Sequence, residues 1–339
     1  MKQQNRNLKK QAADLKKRNY KLDNGKAVLI FLVVFGHLLE LCPNGRESFL
    51  YLAIYSFHMP AFAFFSGYFA KWDPKRLIFR ILCPYVFFQF LYLAFAKGVL
   101  GESFSHPFTR PYWLMWYLAS MACWTLLLPL IDRYFRHRGQ TVLLLAAPAA
   151  LSLLIGFVPE VGYRFGLSRT IVLFPFFLAG YLCCGRKLIY TAKFVFPAVL
   201  AGLLVLWSSR THLNPDWLYH SLSYQKAGYA FWIRGLLLLN SGFWTAALLL
   251  LLPARRIPLL SVLGENTMAV YLLHGFFIKA AKADGLLSGS QLEDRLPGFF
   301  LIFILLLISV LLCFLLGNPQ TKRLFHPLFS WEWLDRLFG

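Results

Sequence analysis

A chain of 339 residues is long enough for two or three soluble domains, but 58% of its residues are hydrophobic and only 15% are charged, against about 25% charged in soluble proteins. The apolar residues come in runs of about 20, long enough to cross a bilayer as helices and too long for a water-soluble core to hide. The net charge of +20 does not point to nucleic acid: its Lys and Arg lie in short segments between apolar runs, the pattern of topology signals and lipid-headgroup contact.

Residues 1–26 hold nine of the 35 Lys and Arg and read as a basic cytoplasmic tail on the anionic leaflet. They do not read as a cleavable signal peptide, because the polar part is long and no small-residue cleavage site follows the first apolar run. Ten spans are then expected, at 27–42, 49–70, 77–97, 113–131, 141–158, 170–184, 194–209, 228–253, 262–282 and 297–317, all within one membrane domain over 27–317. Residues 318–339 are expected to form a second cytoplasmic tail. Giving alternate loops to alternate sides puts 24 Lys and Arg on one side and ten on the other, with Arg234 left inside the eighth span. The positive-inside rule then places both termini in the cytoplasm of an inner (plasma) membrane. The expected fold is an all-α, multi-pass integral membrane protein. The six cysteines lie in or beside apolar runs without metal-ligand spacing, so neither a metal site nor a disulfide framework is expected. The outward segment around 210–227 is rich in His, Tyr, Trp and Asn; it either contacts a sugar or sits at the aromatic belt.

Ionisable side chains inside spans are costly and are functional candidates for that reason. His37 and Glu40 are three apart in the first span and share a helix face. His37 is eleven residues beyond Lys26, about 16 Å deep at 1.5 Å per residue, and His58 enters from the opposite side to about 14 Å. Two histidines from adjacent antiparallel helices therefore converge near the midplane. A neutral imidazole there can take a proton from a hydroxyl as a general base, with Glu40 or His58 orienting it. The competing reading is that both histidines only hydrogen-bond between helices. Lys71, Lys75, Arg76 and Arg80 cluster at the cytoplasmic ends of spans 2 and 3, where guanidinium groups suit phosphate recognition or simple positive-inside anchoring. Arg234 needs an acidic or ligand partner. His274 lies near mid-depth, and Trp113, Trp116 and Tyr117 open the fourth span from outside, where they line a substrate path or form the aromatic belt.

The segments LDNGKAVLIFLVVFGH (22–37) and FHMPAFAFFSGYF (57–69) are similar to the acyltransferase-3 family of membrane-bound acyltransferases, particularly its fucose 4-O-acetylase-like branch. KRLIFRILCPY (75–85), WYLASMACWTLLLP (116–129) and NTMAVYLLHG (266–275) extend the resemblance to about residues 22–330. It implies a ten-helix enzyme moving an acyl group, usually acetyl, from cytoplasmic acyl-CoA, a co-substrate rather than a tightly bound cofactor, to a sugar or lipid-linked glycan. The family's basic residue, then ten positions, then histidine maps onto Lys26 and His37. The family more often has arginine there, and lysine keeps the charge without the bidentate fork. The SGY element maps onto Ser66, Gly67 and Tyr68, and the basic pair onto Arg76 and Arg80. Catalysis is thus expected from His37, Glu40 and His58, and donor binding from Lys26, Ser66, Tyr68, Lys75, Arg76 and Arg80. Trp116, Tyr117, Arg234 and His274 are expected to bind the acceptor. The rival from another class is a glycan transporter or flippase with His37, Glu40 and His58 as a proton relay; the sequence shows no internal symmetry of the kind such carriers often have.

Overall fold

The computed structural model describes residues 19–42, 45–104, 106, 109–134, 140–184, 200, 202, 213–284 and 298–338, and these are helical wherever they are regular. Seven helical segments among them are long and apolar enough to cross a membrane. The first is α1 (Tyr20–Leu39), started by Asn19, whose side chain accepts from Leu22 N at 3.4 Å. The helix thus begins inside the segment expected to be tail. Residues 1–18 and most of the expected seventh span lie outside the described residues.

The second span is two helices, α2 (Phe49–Tyr55) and α3 (His58–Tyr68). Pro60 explains the break. It has no N–H to offer the carbonyl of Ser56 four residues back, and that oxygen instead accepts from Ser241 Oγ at 2.5 Å. The freed backbone group is satisfied by another helix, as a bilayer requires. A similar cause acts in α4 (Pro74–Gly98), where Ile78–Leu82 form a π-helical turn. Pro84 cannot donate to Arg80 O, and Cys83 N reaches back five residues to Ile78 O. Such bulges gather at functional sites, and this one carries Arg80.

The remaining long helices are α5 (Trp116–Tyr134), α6 (Thr141–Leu154), α7 (Leu167–Cys183) and α8 (Phe231–Leu251). With its final 3-10 turn α6 covers Thr141–Phe157, apolar but shorter than the seven. The expected ninth span is divided at Asn266 into α9 (Pro258–Glu265) and α10 (Thr267–Ala283). Asn266 Nδ2 bonds Gly317 O at 2.7 Å, tying the break to the end of α11 (Gly298–Leu316). The expected C-terminal tail is folded. Helices α12 (Pro319–Phe329) and α13 (Glu332–Phe338) return to α4, where Trp331 N donates to Phe79 O at 2.8 Å and the Trp331 ring packs on Phe87.

Where apolar side chains face lipid as readily as protein, helices associate by close backbone approach. Helices α3 and α7 do this through Gly67 and Gly180. A methyl group built on Gly67 falls 1.8 Å from Phe177 O, and one on Gly180 falls 1.9 Å from Phe64 O. Both opposing atoms are backbone and cannot turn aside. Gly180→Val is therefore expected to lower the thermal midpoint of the detergent-purified protein by the equivalent of about 1–3 kcal/mol or more, the usual cost of overpacking. Gly98→Ala, which meets nothing within 4 Å, is expected to leave the midpoint in place.

Candidate active site

A cavity of about 1290 Å³ lies between these helices, with Lys26, Arg76, Arg80 and Lys322 at one end and Arg110, Tyr163, Arg169 and Tyr219 at the other. His37, Glu40 and His58 also line it. Seven Lys and Arg line the cavity against two carboxylates, Glu40 and Glu265.

His37 sits on the last turn of α1, and Glu40 on the residue that caps it. The helix places them on one face, with His37 Nδ1 3.4 Å from Glu40 Oε1. The decisive partner comes from α2. Tyr55 Oη lies 3.0 Å from His37 Nδ1 and donates its hydrogen to Glu40 Oε1. A phenol has one hydrogen to give. Because that hydrogen goes to Glu40, the oxygen accepts from His37 Nδ1–H, and the neutral ring carries its lone pair on Nε2. Nε2 makes no hydrogen bond among the described residues, and His37 lines the cavity. Glu40 also accepts from Tyr51 Oη at 3.1 Å, and Tyr51 in turn bonds the hydroxyl of Tyr219. Burial first, then the nearby Glu40, push the Tyr219 hydroxyl up to about 12, so it remains a donor at neutral pH.

The walls around His37 are aromatic. Trp113 lies 4.7 Å from it between ring centroids, and His274 stacks against it at 5.7 Å. Trp113 has φ +35°, a conformation that costs a bulky residue about 1–3 kcal/mol and persists only where neighbours over-determine it. The neighbours are Gln89 Oε1, which accepts from Tyr112 N at 2.8 Å, and Tyr271, whose hydroxyl donates to Leu114 O.

The other sequence candidates separate into groups. His58, first in α3 because of the Pro60 break, packs edge-on to Tyr55 and bonds Ile54 O at 2.8 Å through Nδ1. It lines the cavity without a hydrogen bond to His37. Lys26 pairs with Asp23 at 2.9 Å and lies over Phe69. Ser66 Oγ bonds Tyr117 Oη at 2.7 Å, and both line the cavity with Trp116. Tyr68 packs on Phe69 outside the lining, and Lys75 pairs with Asp335 at 2.7 Å away from it. Arg76 lines the basic end without an ion pair among the described residues. Arg80 is held by both oxygens of Glu332, at 2.5 and 2.9 Å, and that guanidinium keeps the Glu332 carboxyl below the usual range. His274 is fully buried behind His37, with Nδ1 on Val270 O at 2.8 Å.

Arg234 is buried and has no carboxylate partner among the described residues. Tyr229 Oη at 3.0 Å, Leu222 O at 2.8 Å and Ser152 O at 3.5 Å take its three nitrogens, and Tyr224 lies under its plane. It ties α8 to the end of α6 and to the 222–229 segment, outside the cavity lining. The sequence reading missed Tyr51, Tyr55, Tyr219 and Arg169. Their only signal was the richness of the 210–227 segment in ring side chains and the placement of two tyrosines on the face of span 2 that meets span 1.

An acyltransferase family model, the acyltransferase-3 domain, matches residues 19–318. The chain belongs to this family. Nodulation protein NolL of Sinorhizobium fredii is 28% identical over 198 residues, half of this chain and half of NolL; the chain thus spans about half the length of that curated relative. No solved structure matches. The His37 tautomer depends on the Tyr55 hydroxyl, so any base chemistry at Nε2 would depend on it too. Tyr55→Phe is therefore expected to cut acyl transfer by roughly tenfold to a hundredfold, the value of a hydrogen bond to a charged group. Arg234→Met should instead lower the thermal midpoint with the Michaelis constants of both substrates unchanged. Equal kinetics for Tyr55→Phe and the parent protein would remove Tyr55 from the site.

Proposed function

We propose that the protein is an O-acyltransferase of an inner (plasma) membrane, with ten spans and both termini in the cytoplasm, that moves an acyl group, acetyl by preference, from acyl-CoA to a hydroxyl of a sugar or lipid-linked glycan. The observation that carries this reading is the His37 imidazole, held by Tyr55 and Glu40 with its Nε2 unbonded among the described residues, in a cavity whose two ends differ in chemistry. The basic end suits the phosphates of CoA, with Arg76, Arg80 and Lys26 as ligands. From there the pantetheine arm extends to bring the thioester to His37. The other end, with its aromatic and polar walls, receives the acceptor.

His37 Nε2 takes the proton of the acceptor hydroxyl as its oxygen attacks the thioester carbonyl. The imidazolium that forms donates through Nδ1 to Tyr55 and lies 3.4 Å from the Glu40 carboxylate, which stabilises it as the carboxylate of a catalytic triad does. Collapse of the tetrahedral intermediate breaks the C–S bond, and the departing thiolate recovers the proton from Nε2. The products are an ester and free CoA.

Two measurements test the reading. Purified His37→Ala protein is expected to release thiol from acetyl-CoA, with acceptor present, about 10²–10⁴ times more slowly than the parent while retaining CoA binding. Near-parent turnover would sink the assignment. Glu332 now occupies the guanidinium that the donor phosphates need, so Glu332→Gln should lower the apparent KM for acetyl-CoA and Arg80→Ala should raise it. If neither substitution moves that KM, the basic end is an anchor for the membrane surface and not the donor site.

A further inference from the structure

Arg169 is a second arginine sunk within the bundle, half-buried because it lines the cavity, and it differs from Arg234 in what its nitrogens do. Its Nε donates to Tyr219 O at 3.1 Å and to Ser221 Oγ at 2.6 Å. The guanidinium carbon lies over Trp116 at 4.8 Å, with Tyr163 and Tyr219 at 5.5 and 5.6 Å. The plane is therefore clamped, and the edge that carries Nη1 and Nη2 makes no hydrogen bond within the described residues. No carboxylate lies within ion-pair distance of it there. In Arg234 all three nitrogens reach oxygen. A fork that is fixed, partly desolvated and unpaired costs free energy that an oxyanion would recover.

The neighbouring side chains support a ligand at this edge. His220 lines the cavity, is 5% exposed, and its Nδ1 is buried without a hydrogen-bond partner. Burial first, then Arg234 and Arg169, push its imidazole down to about 3, so at neutral pH it offers a neutral ring to a hydroxyl. Tyr219 links this end to the catalytic group, since its backbone carbonyl accepts from Arg169 while its hydroxyl bonds Tyr51 beside Glu40. A group bound at Arg169 is thus one tyrosine away from the Glu40 that braces His37.

We propose that the Arg169 end of the cavity is a subsite for an anionic sugar, whose carboxylate or phosphate is taken bidentately by the free guanidinium edge while a ring hydroxyl meets His220. This rests on the acyl-transfer reading for its biological sense, since it defines the acceptor as a charged glycan unit, but the geometry is that of a binding site in its own right. A carboxylate-bearing sugar and a sugar phosphate satisfy the same fork.

The test is binding to the full-length purified protein, with CoA at saturation so that the donor arginines are occupied. Glucuronate, glucose 1-phosphate, glucose and inorganic phosphate are titrated while tryptophan fluorescence is followed, Trp116 being the reporter beneath Arg169. At least one sugar anion is expected to bind tenfold or more tightly than both glucose and inorganic phosphate. Whichever sugar anion binds more tightly identifies the charged group. Arg169→Lys should reduce this preference and Arg169→Gln should abolish it. Equal binding of glucose overturns the proposal, as does inorganic phosphate binding as tightly as the sugar anions. Both comparisons use the parent protein, so a misfolded variant leaves the result intact. His37→Ala should keep the preference. If no acceptor elicits thiol release yet the preference persists, the transfer reading fails and the anionic subsite stands.

Discussion

The one hydrogen of the Tyr55 hydroxyl constrains the whole site. It lies between an imidazole nitrogen and a carboxylate, and only one arrangement satisfies both contacts: donation to Glu40 and acceptance from His37 Nδ1. That arrangement makes Nε2 the basic atom, and Nε2 makes no hydrogen bond among the described residues. In water such a preference is weak, because solvent offers every alternative. Inside a helical bundle the alternatives are absent and hydrogen bonds polarise one another. Tyr51 supplies Glu40 with a second donor, and Tyr219 extends the network through the Tyr51 hydroxyl.

Placing Tyr55 there requires a break in the second span. An unbroken helix from Phe49 to Tyr68 would continue the N–H to C=O ladder through Ser56 and carry Tyr55 and His58 at fixed angles around one axis. Pro60 removes one donor, Ser241 of α8 donates to the orphaned carbonyl in its place, and α3 restarts at His58 with its ring edge-on to Tyr55. The lower half of the same span then packs on α7 through Gly67 and Gly180 at backbone contact, which fixes the angle at which the break is held. The Pro84 π-turn in α4 is the corresponding device at the basic end, where Arg80 projects. In both places a proline opens a helix near a cavity-lining side chain; at Pro60 the freed carbonyl finds a protein partner in Ser241, as a bilayer requires.

Part of this is legible in the sequence. Ionisable residues in apolar runs stand out because of their cost, and a spacing of three puts His37 and Glu40 on one face by helical periodicity alone. Loop charge and helical rise set His37 and His58 at similar depths, and the structure brings both to one cavity. The break between them is not readable from spacing, because whether Pro60 kinks a span depends on what stands opposite Ser56. Tyr219 and Arg169 are illegible for a related reason. Tyr219 meets the second span across 168 residues of chain, and tyrosines and arginines near a membrane interface have an ordinary use as belts and anchors. Arg234 misleads in the opposite direction: a charge within a span suggests function, yet three oxygens and a tyrosine face satisfy it without an acid or a ligand.

The contrast between Arg234 and Arg169 generalises beyond charge counting. Removal from bulk water marks both as expensive, and neither has a carboxylate partner among the described residues. What separates them is whether every nitrogen is used. Arg234 commits its donors to the fold, joining two helices to a loop, and contributes nothing to the cavity wall. Arg169 commits one nitrogen to the fold and has its plane clamped by aromatic rings, so its remaining fork is rigid before any ligand arrives. A rigid donor pair loses little entropy on binding. The free groups at His37 and Arg169 are thus already immobilised by neighbours, whereas the Arg80 fork is closed by Glu332 from the C-terminal helix. That difference separates the two ends: the end expected to take a free, soluble donor is covered by a displaceable carboxylate, and the end expected to take the acceptor stands open.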